Sequence, residues 1–251
     1  MNNKKIQSMK KGGSILSKTM GETIGYVKPG RSLLEIEKFF CKNLASFGVE
    51  SSFKKVPGYS WATCINLNNG VVHGIPDDTQ ISDGDLVSID GGVFLEGFHT
   101  DVAYSFIAGK PLSCVFKDVF LLSGRKALDM AIKAVRVGNR VGDISQAIEN
   151  QIVGDGFHCV ETLTGHGEGE NLHQKPYIPC LLKGDIEKTA PLLEGQGLAI
   201  EVIYTDTNPK LRTESNGWTI VNKGGKISGL FEKSVYVNGC DIVDLTPYFW
   251  E

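Results

Sequence analysis

Four carboxylates stand where strands should be. Asp90 follows the apolar run Leu86-Val-Ser-Ile89 and precedes Gly91-Gly92. It therefore reads as the end of a half-buried strand, with a turn or bulge behind it. Eleven residues on, Asp101 opens the run Val102-Ala-Tyr-Ser-Phe106. A hairpin over 93–98 would fold it back beside Asp90. Glu201 ends Leu198-Ala-Ile200, and Glu232 opens Lys233-Ser-Val-Tyr-Val237. Either aspartate alone would pass as an ordinary turn residue. Glutamate disfavours strands, so two at matching strand positions need a reason. Four buried carboxylates brought together repel one another unless cations lie between them. Two divalent cations offset four negative charges, and metals about 3.5–4 Å apart form a hydrolytic arrangement.

The chain has five histidines. His166 lies in Thr164-Gly-His-Gly-Glu-Gly169, where flanking glycines allow close backbone approach and unusual dihedrals. An imidazole ligand fits there, although a lone loop histidine is usually just solvated. Carboxylates with one imidazole suit Mn, Fe(II), Co or Zn better than soft-metal chemistry. His73, in Val71-Val-His-Gly-Ile-Pro76, and His173 lack this bracketing. His99 and His158 read as structural.

The elements that position these groups repeat. Tyr26-Val-Lys-Pro-Gly30 opens a helical pattern through Ile36, Phe39, Phe40, Leu44 and Phe47 that ends at Gly48. Ala134-Val-Arg-Val-Gly138 opens a second through Ile144, Ile148 and Ile152 that ends near Gly156. Gly84 to Asp90 then resembles Gly195 to Glu201, and Asp101 to Phe106 resembles Glu232 to Val237. Each half delivers two carboxylates from two strands. The expectation is an α+β domain with pseudo-twofold symmetry and the carboxylates at its centre. A long helix over 111–138, with an apolar stripe of Val115, Val119, Leu122, Ala127, Met130, Ala131 and Ala134, should join the halves. No Gly-, Ser- or Pro-rich linker separates them, so residues 1–251 read as one domain with halves at about 12–110 and 111–251.

Composition narrows the class. With 251 residues, 41% hydrophobic content and a net charge of −3, the chain suits a soluble globular protein and offers no obvious nucleic-acid surface. No stretch approaches the roughly 20 apolar residues of a membrane span. The lysine-rich start MNNKKIQSMKKGGSIL has no apolar core for a signal peptide, and its lysines read as a solvated helix face, with ribosome contact the lesser alternative. Six scattered cysteines without a C-x-x-C pair fit a reducing cytoplasm. A monomer is the default.

Taken in order, Cys64-Ile-Asn-Leu-Asn68 with His73-Gly-Ile-Pro-Asp77, Asp83 to Asp90 with Gly97-Phe-His-Thr-Asp101, Gly165-His166-Gly with Leu172-His173, Ile200-Glu201, Asn216-Gly-Trp218-Thr, and Glu232 resemble the type I methionine aminopeptidases of the pita-bread fold. The likeness runs over essentially the whole chain. It implies two α/β halves around a curved antiparallel sheet. It implies that Asp90, Asp101, His166, Glu201 and Glu232 hold two divalent ions (Co, Mn, Fe(II), Zn or Ni), with Asp101 and Glu232 bridging. A bridging water or hydroxide would attack the first peptide bond, and Glu201 would relay its proton. His173 would stabilise the oxyanion, and His73 would position the scissile amide. Tyr59, Cys64, Leu172 and Trp218 would surround the methionine side chain of peptides and nascent chains.

The chain departs from that pattern. Lys233 follows the last ligand in place of histidine, Val202 follows Glu201 in place of proline, Gly91-Gly92 replace a threonine-containing stretch, and Leu172 replaces phenylalanine. Glu168, Glu170 and Asn171 replace a glycine- and arginine-containing stretch. No ligand is lost, but the surroundings of the ligands differ. Two alternatives stay open: a proline-specific pita-bread aminopeptidase, which the compact N-terminus disfavours, and a non-catalytic binding module on the same fold.

Overall fold

Both glycine-bracketed patterns are helices. In the computed structural model, which describes residues 3–110 and 114–247, α1 (Asn3–Tyr26) leads into α2 (Leu33–Ser46). Likewise α3 (Val115–Lys133) leads into α4 (Val141–Gly154). At the start of α2 the Glu35 N–H donates to the Ser32 hydroxyl at 3.2 Å, and the Ser32 N–H donates to the Glu35 carboxylate at 2.8 Å. That reciprocal pair satisfies two otherwise orphaned donors. At α4 the Arg140 N–H donates to Asp143 at 2.7 Å. The buried stripes match across the repeat: Leu33, Ile36, Phe40 and Leu44 on α2, and Val141, Ile144, Ile148 and Ile152 on α4. Gly48 and Gly156 end these helices with φ of 67° and 85°, a conformation that costs glycine nothing.

The joining helix differs from its expectation. Residues 111–113 lie outside the described residues, and α3 starts at Val115. Val115, Val119, Leu122 and Met130 are exposed, Val115 to 72%. The buried face is Phe120, Leu121, Ser123, Gly124, Ala127, Leu128 and Ala131. A Cβ on Gly124 would come within 2.5 Å of the Phe231 ring. The helix presses on the sheet through small residues, so counting large apolar side chains assigns the wrong face.

Thirteen strands follow in chain order among the described residues. The first half holds β1 (Glu50–Ser51), β2 (Thr63–Leu67), β3 (Gly70–Val72), β4 (Leu86–Leu95) and β5 (Phe98–Ile107). The second holds β6 (His158–Cys159), β7 (Thr164–Glu168), β8 (Gln174–Pro179), β9 (Gly197–Thr205), β10 (Leu211–Thr213), β11 (Ile220–Asn222), β12 (Ser228–Asn238) and β13 (Asp241–Asp244). The main sheet runs β1-β4-β5-β12-β9-β7-β8 with every pairing antiparallel, and β2, β13 and β6 attach to β4, β12 and β9. A small sheet, β10-β11-β3, joins the halves at one end. Apolar side chains of α1 and α2 pack with β2, β4 and β5, and those of α3 and α4 pack with β9 and β12.

One buried acid ties the first helix pair to the sheet. The Glu37 carboxylate accepts from Ala62 N at 2.8 Å, Thr63 N at 3.0 Å and the Thr63 hydroxyl at 2.7 Å. The Tyr59 hydroxyl then donates to the Thr63 carbonyl at 2.8 Å. Glu37→Ala strands three buried donors, at a cost of about 2–4 kcal/mol. Urea denaturation checks this. A loss under about 1 kcal/mol would mean that water or a neighbour replaces the carboxylate.

Candidate metal centre and substrate cavity

One rung of the sheet explains why the carboxylates converge. Asp90 on β4 pairs with Ala103 on β5, Ala103 pairs with Glu232 on β12, and Glu232 pairs with Glu201 on β9. Directly opposed residues share a face, with Cβ atoms about 4.5–5.5 Å apart. Three carboxylates and one alanine thus form a row across four strands. Asp101 lies two residues before Ala103, so it faces the same way one step along. His166 on β7 pairs with Ala199, two residues before Glu201, and takes the matching place on the other side. The Ala103 methyl leaves the middle of the row open.

The setting of these residues corrects three expectations. First, all four carboxylates lie inside strands, not at strand ends. Second, no turn or bulge follows Asp90. β4 stays in register with β5 through Gly91 and Gly92, and the hairpin closes at Glu96-Gly97, whose φ values are 53° and 96°. The two glycines serve close packing instead: a Cβ on Gly91 would meet the Phe40 ring at 2.7 Å, and one on Gly92 would meet Ser52 Cβ at 2.8 Å. Third, His166 sits in a strand and not in a loop. Neither of its flanking glycines is left-handed. A Cβ on Gly165 would lie 2.6 Å from the Ala199 carbonyl oxygen, and one on Gly167 would lie 2.5 Å from that of Lys175. The tight fit of β7 between β8 and β9 is what needs glycine there.

Asp101, His166 and Glu232 each offer a ligand atom within 4.8 Å of the others, and all three are buried. Burial first, and then the neighbouring acids, raise the carboxylates: Glu201 to about 8, and Asp90 and Glu232 well above the ordinary range. Burial alone lifts Asp101 to about 7, against hydrogen bonds that pull it down. After burial, Asp101 is the largest source of the rise on each of the other three. Asp90 Oδ1 is buried without a hydrogen-bond donor. Buried acids, one with an oxygen that lacks a donor, hard oxygen ligands and a single imidazole fit a divalent cation of the borderline class.

Burial favours the neutral form of the imidazoles. Burial, then the charge of His173, lowers His166 to about 4, and burial also lowers His73 and His173. His166 Nδ1 lies 3.2 Å from the Gly167 carbonyl, which can only accept; that tautomer leaves Nε2 as the ligand atom. The His166 and His173 rings meet edge-on at 4.5 Å. His73 has a left-handed φ of 57°, a strained conformation for its residue type.

These groups line a cavity of about 300 Å³. Tyr59, Cys64, Leu172 and Trp218 come together at it with Phe53 and Val56, in an apolar cluster of their own. Trp218 meets Tyr59 edge-on at 5.0 Å, and the Tyr59 hydroxyl lies 3.2 Å from Cys64 Sγ. Thr162, Leu163, Thr164, Tyr177 and Ile203 also line the cavity. Sequence reading missed these five residues, and missed Phe53 and Val56, because nothing in their local spacing marks them. It also gave no role to Glu168, which is fully buried with neither carboxylate oxygen hydrogen-bonded. Its charge opposes that of Glu232. Counting two residues along the strand from His166 would have found it.

Two departures point away from the site. Neighbours in a strand face opposite ways, so Lys233 and Val202 leave the face of Glu232 and Glu201. Lys233 is 1% exposed and pairs with Asp244 at 2.5 Å. His99 is buried, with Nδ1 2.9 Å from the Ser52 hydroxyl, and His158 is exposed.

The raised acids give a pH dependence with a definite sign. An acid whose folded pKa exceeds its unfolded value of about 4 binds more protons when folded. Its contribution to stability is complete below that value and is lost as pH rises through the folded pKa. For Asp101 and Glu201 the window runs from about 4 to about 7 and about 8. Metal-free protein is therefore expected to lose melting temperature across this window. Added divalent cation, which binds the ionised form, should flatten or reverse the trend. Melting curves with chelator and with metal check this; parallel slopes would contradict it.

The sheet and its acid row fall into a recognised class, and this chain belongs to metallopeptidase family M24, whose model matches residues 7–239. Its similar proteins are more particular. A methionine aminopeptidase from Clostridium perfringens is 33% identical over 246 residues, covering 97% of each chain. One from Borreliella burgdorferi is 36% identical over 236 residues, covering 92% of this chain and 91% of that one. The solved structure of the methionine aminopeptidase from Thermotoga maritima superposes with a TM-score of 0.92 at 30% identity, over 98% of both chains. The fold is the pita-bread fold expected from the sequence.

Proposed function

We propose that this chain hydrolyses the first peptide bond of peptides and nascent proteins and releases their N-terminal methionine. The observation that carries the reading is the row Asp90–Ala103–Glu232–Glu201, flanked by Asp101 and His166, whose acids and imidazole line one cavity together with an apolar, aromatic cluster. Asp90, Asp101, His166, Glu201 and Glu232 would hold two divalent ions drawn from Co, Mn, Fe(II), Zn or Ni. When bound, such ions neutralise the acids, polarise the scissile carbonyl and make an attacking water more acidic.

The remaining steps belong to side chains. Glu201 takes the proton of the attacking water and delivers it to the leaving amine. His173 donates to the developing oxyanion, and His73 orients the scissile amide. Tyr59, Cys64, Leu172 and Trp218 enclose the thioether, a soft group that packs well against aromatic and sulfur surfaces. The chain acts as one catalytic unit, a cytoplasmic monomer built from halves at about 12–110 and 111–251. No helix among the described residues is long and apolar enough to cross a membrane.

The test is a comparison of Met-Ala-Ser with an Xaa-Pro peptide in metal-loaded protein. Met-Ala-Ser should be cleaved at least about 100-fold faster in kcat/KM, because the pocket is built for a thioether at the first position. Faster cleavage of the Xaa-Pro peptide would favour the proline-specific alternative. Absence of bound metal in wild type would favour the binding module.

A further inference from the structure

β12 changes partner beside the metal centre. One of its sides pairs with β9 throughout. On the other side Glu232 and Lys233 pair with Ala103 and Val102 of β5, and from Val235 onward β13 takes over. Ser234 lies at this fork, one step from Lys233, and Asp101 lies one step from Val102 across from it. Two buried hydroxyls bridge the fork. That of Ser234 donates to the Asp101 carbonyl at 2.9 Å and accepts from the Asp101 N–H at 2.8 Å. That of Thr246 holds Ser234 in the same manner: it accepts from the Ser234 N–H at 3.0 Å and lies 3.5 Å from the Ser234 carbonyl. Ser234 and Thr246 are both wholly buried, where a backbone polar group without a partner is costly.

The segment that carries Thr246 is anchored from the far face. Lys233, buried and turned away from the acid row, pairs with the Asp244 carboxylate. The other oxygen of Asp244 accepts from the Thr246 N–H at 3.1 Å. The Leu245 N–H donates to the Ser234 carbonyl, also at 3.1 Å. A buried ammonium needs an anion beside it, so Lys233 draws Asp244 in, and Thr246 is set two residues on. Contacts thus run unbroken from Lys233 through Asp244, Thr246 and Ser234 to the backbone of Asp101. The Asp101 carboxylate is one of the three groups whose ligand atoms converge. A shift of its backbone therefore moves a ligand atom.

We propose that Thr246 is a positioning residue for the metal centre, held in place by the Lys233–Asp244 pair and acting on Asp101 through Ser234. The inference rests on the metal-dependent aminopeptidase reading, and the test keeps the two apart. Mn(II) and Zn(II) are titrated by calorimetry into chelator-stripped protein, and methionine release from Met-Ala-Ser is followed in the loaded protein. Thr246→Val removes the hydroxyl and keeps the branched shape. It should weaken binding of the ion by about tenfold or more, the scale of losing an outer partner of a ligand. Thr246→Ser keeps the hydroxyl and should bind like wild type. Asp244→Asn keeps an acceptor for the Thr246 N–H but loses the charge that holds Lys233, and should weaken binding in the same direction. Tyr204→Phe is the control for a loss that is merely structural. It deletes a buried hydroxyl that donates to the Phe120 carbonyl at 2.6 Å, and should lower the urea midpoint without changing metal affinity. Unchanged affinity in folded Thr246→Val, or an equal loss in Tyr204→Phe, overturns the positioning role and leaves the aminopeptidase reading intact. If Thr246→Val does not fold, Asp244→Asn decides by the same criterion. Weakened binding in these variants of a wild type that releases no methionine upholds the positioning role and overturns the aminopeptidase reading. Wild type that binds neither ion overturns both.

Discussion

Glu201→Gln is expected to lower kcat for Met-Ala-Ser by about 10³-fold or more, with KM changed by no more than a few-fold. Glutamine keeps the size of the side chain and its place on β9 opposite Glu232. It removes one negative charge and the ability to take a proton. General-base removal alone costs about 10²–10⁴ in rate, and a lost ligand charge adds to it. The two contributions separate experimentally. If charge at the centre were the whole effect, excess metal would restore turnover. A base is not replaced in this way, so activity should stay low when metal content matches wild type. Recovery to within about tenfold of wild type under excess metal would show that Glu201 takes no proton.

Asp101→Asn should do two opposite things. Asp101 stands beside the central row and is, after burial, the strongest influence raising Asp90, Glu201 and Glu232. Its own side chain is fixed, because the Val102 N–H donates to Oδ1 at 2.9 Å. Ser234 holds its backbone on both sides, donating to the carbonyl and accepting from the N–H. Without the charge, activity should fall by about 10³-fold, since the residue is one of the proposed metal ligands. The metal-free protein should become more stable, because the buried charge that most raises the other three acids has gone. For a chain of this length each kcal/mol relieved raises the melting temperature by about 2–4 °C. Adding metal should then stabilise the variant less than wild type. A metal-free variant that melts below wild type would show that Asp101 is held by favourable contacts and not strained by its neighbours.

The sequence carried the chemistry further than the geometry. Asp90, Asp101, Glu201 and Glu232 were legible because each abuts an apolar run of strand-forming residues, and because the pattern occurs twice. The rung that joins them was not, since cross-strand register is a long-range property and Ala103 is inconspicuous in its own segment. Gly91 and Gly92 were misread for a related reason. Glycine serves both turns and tight packing, and only the Phe40 ring and Ser52, which lie far away in the chain, decide between them. His166 suffered the same ambiguity. The face of α3 went wrong because size was taken as burial, whereas the sheet admits Ser123 and Gly124. Glu37, whose partners lie 25 and 26 residues away, gives no local sign of its role.

The most direct measurement is hydrolysis of Met-Ala-Ser by protein stripped with a chelator and then titrated with Mn, Fe(II), Co, Ni or Zn. Stripped protein should be inactive, and at least one of these ions should restore release of free methionine, with recovery complete by about two equivalents per chain. Folded protein that releases no methionine with any of the five, or that releases it undiminished after stripping, would contradict the assignment of a metal-dependent methionine aminopeptidase.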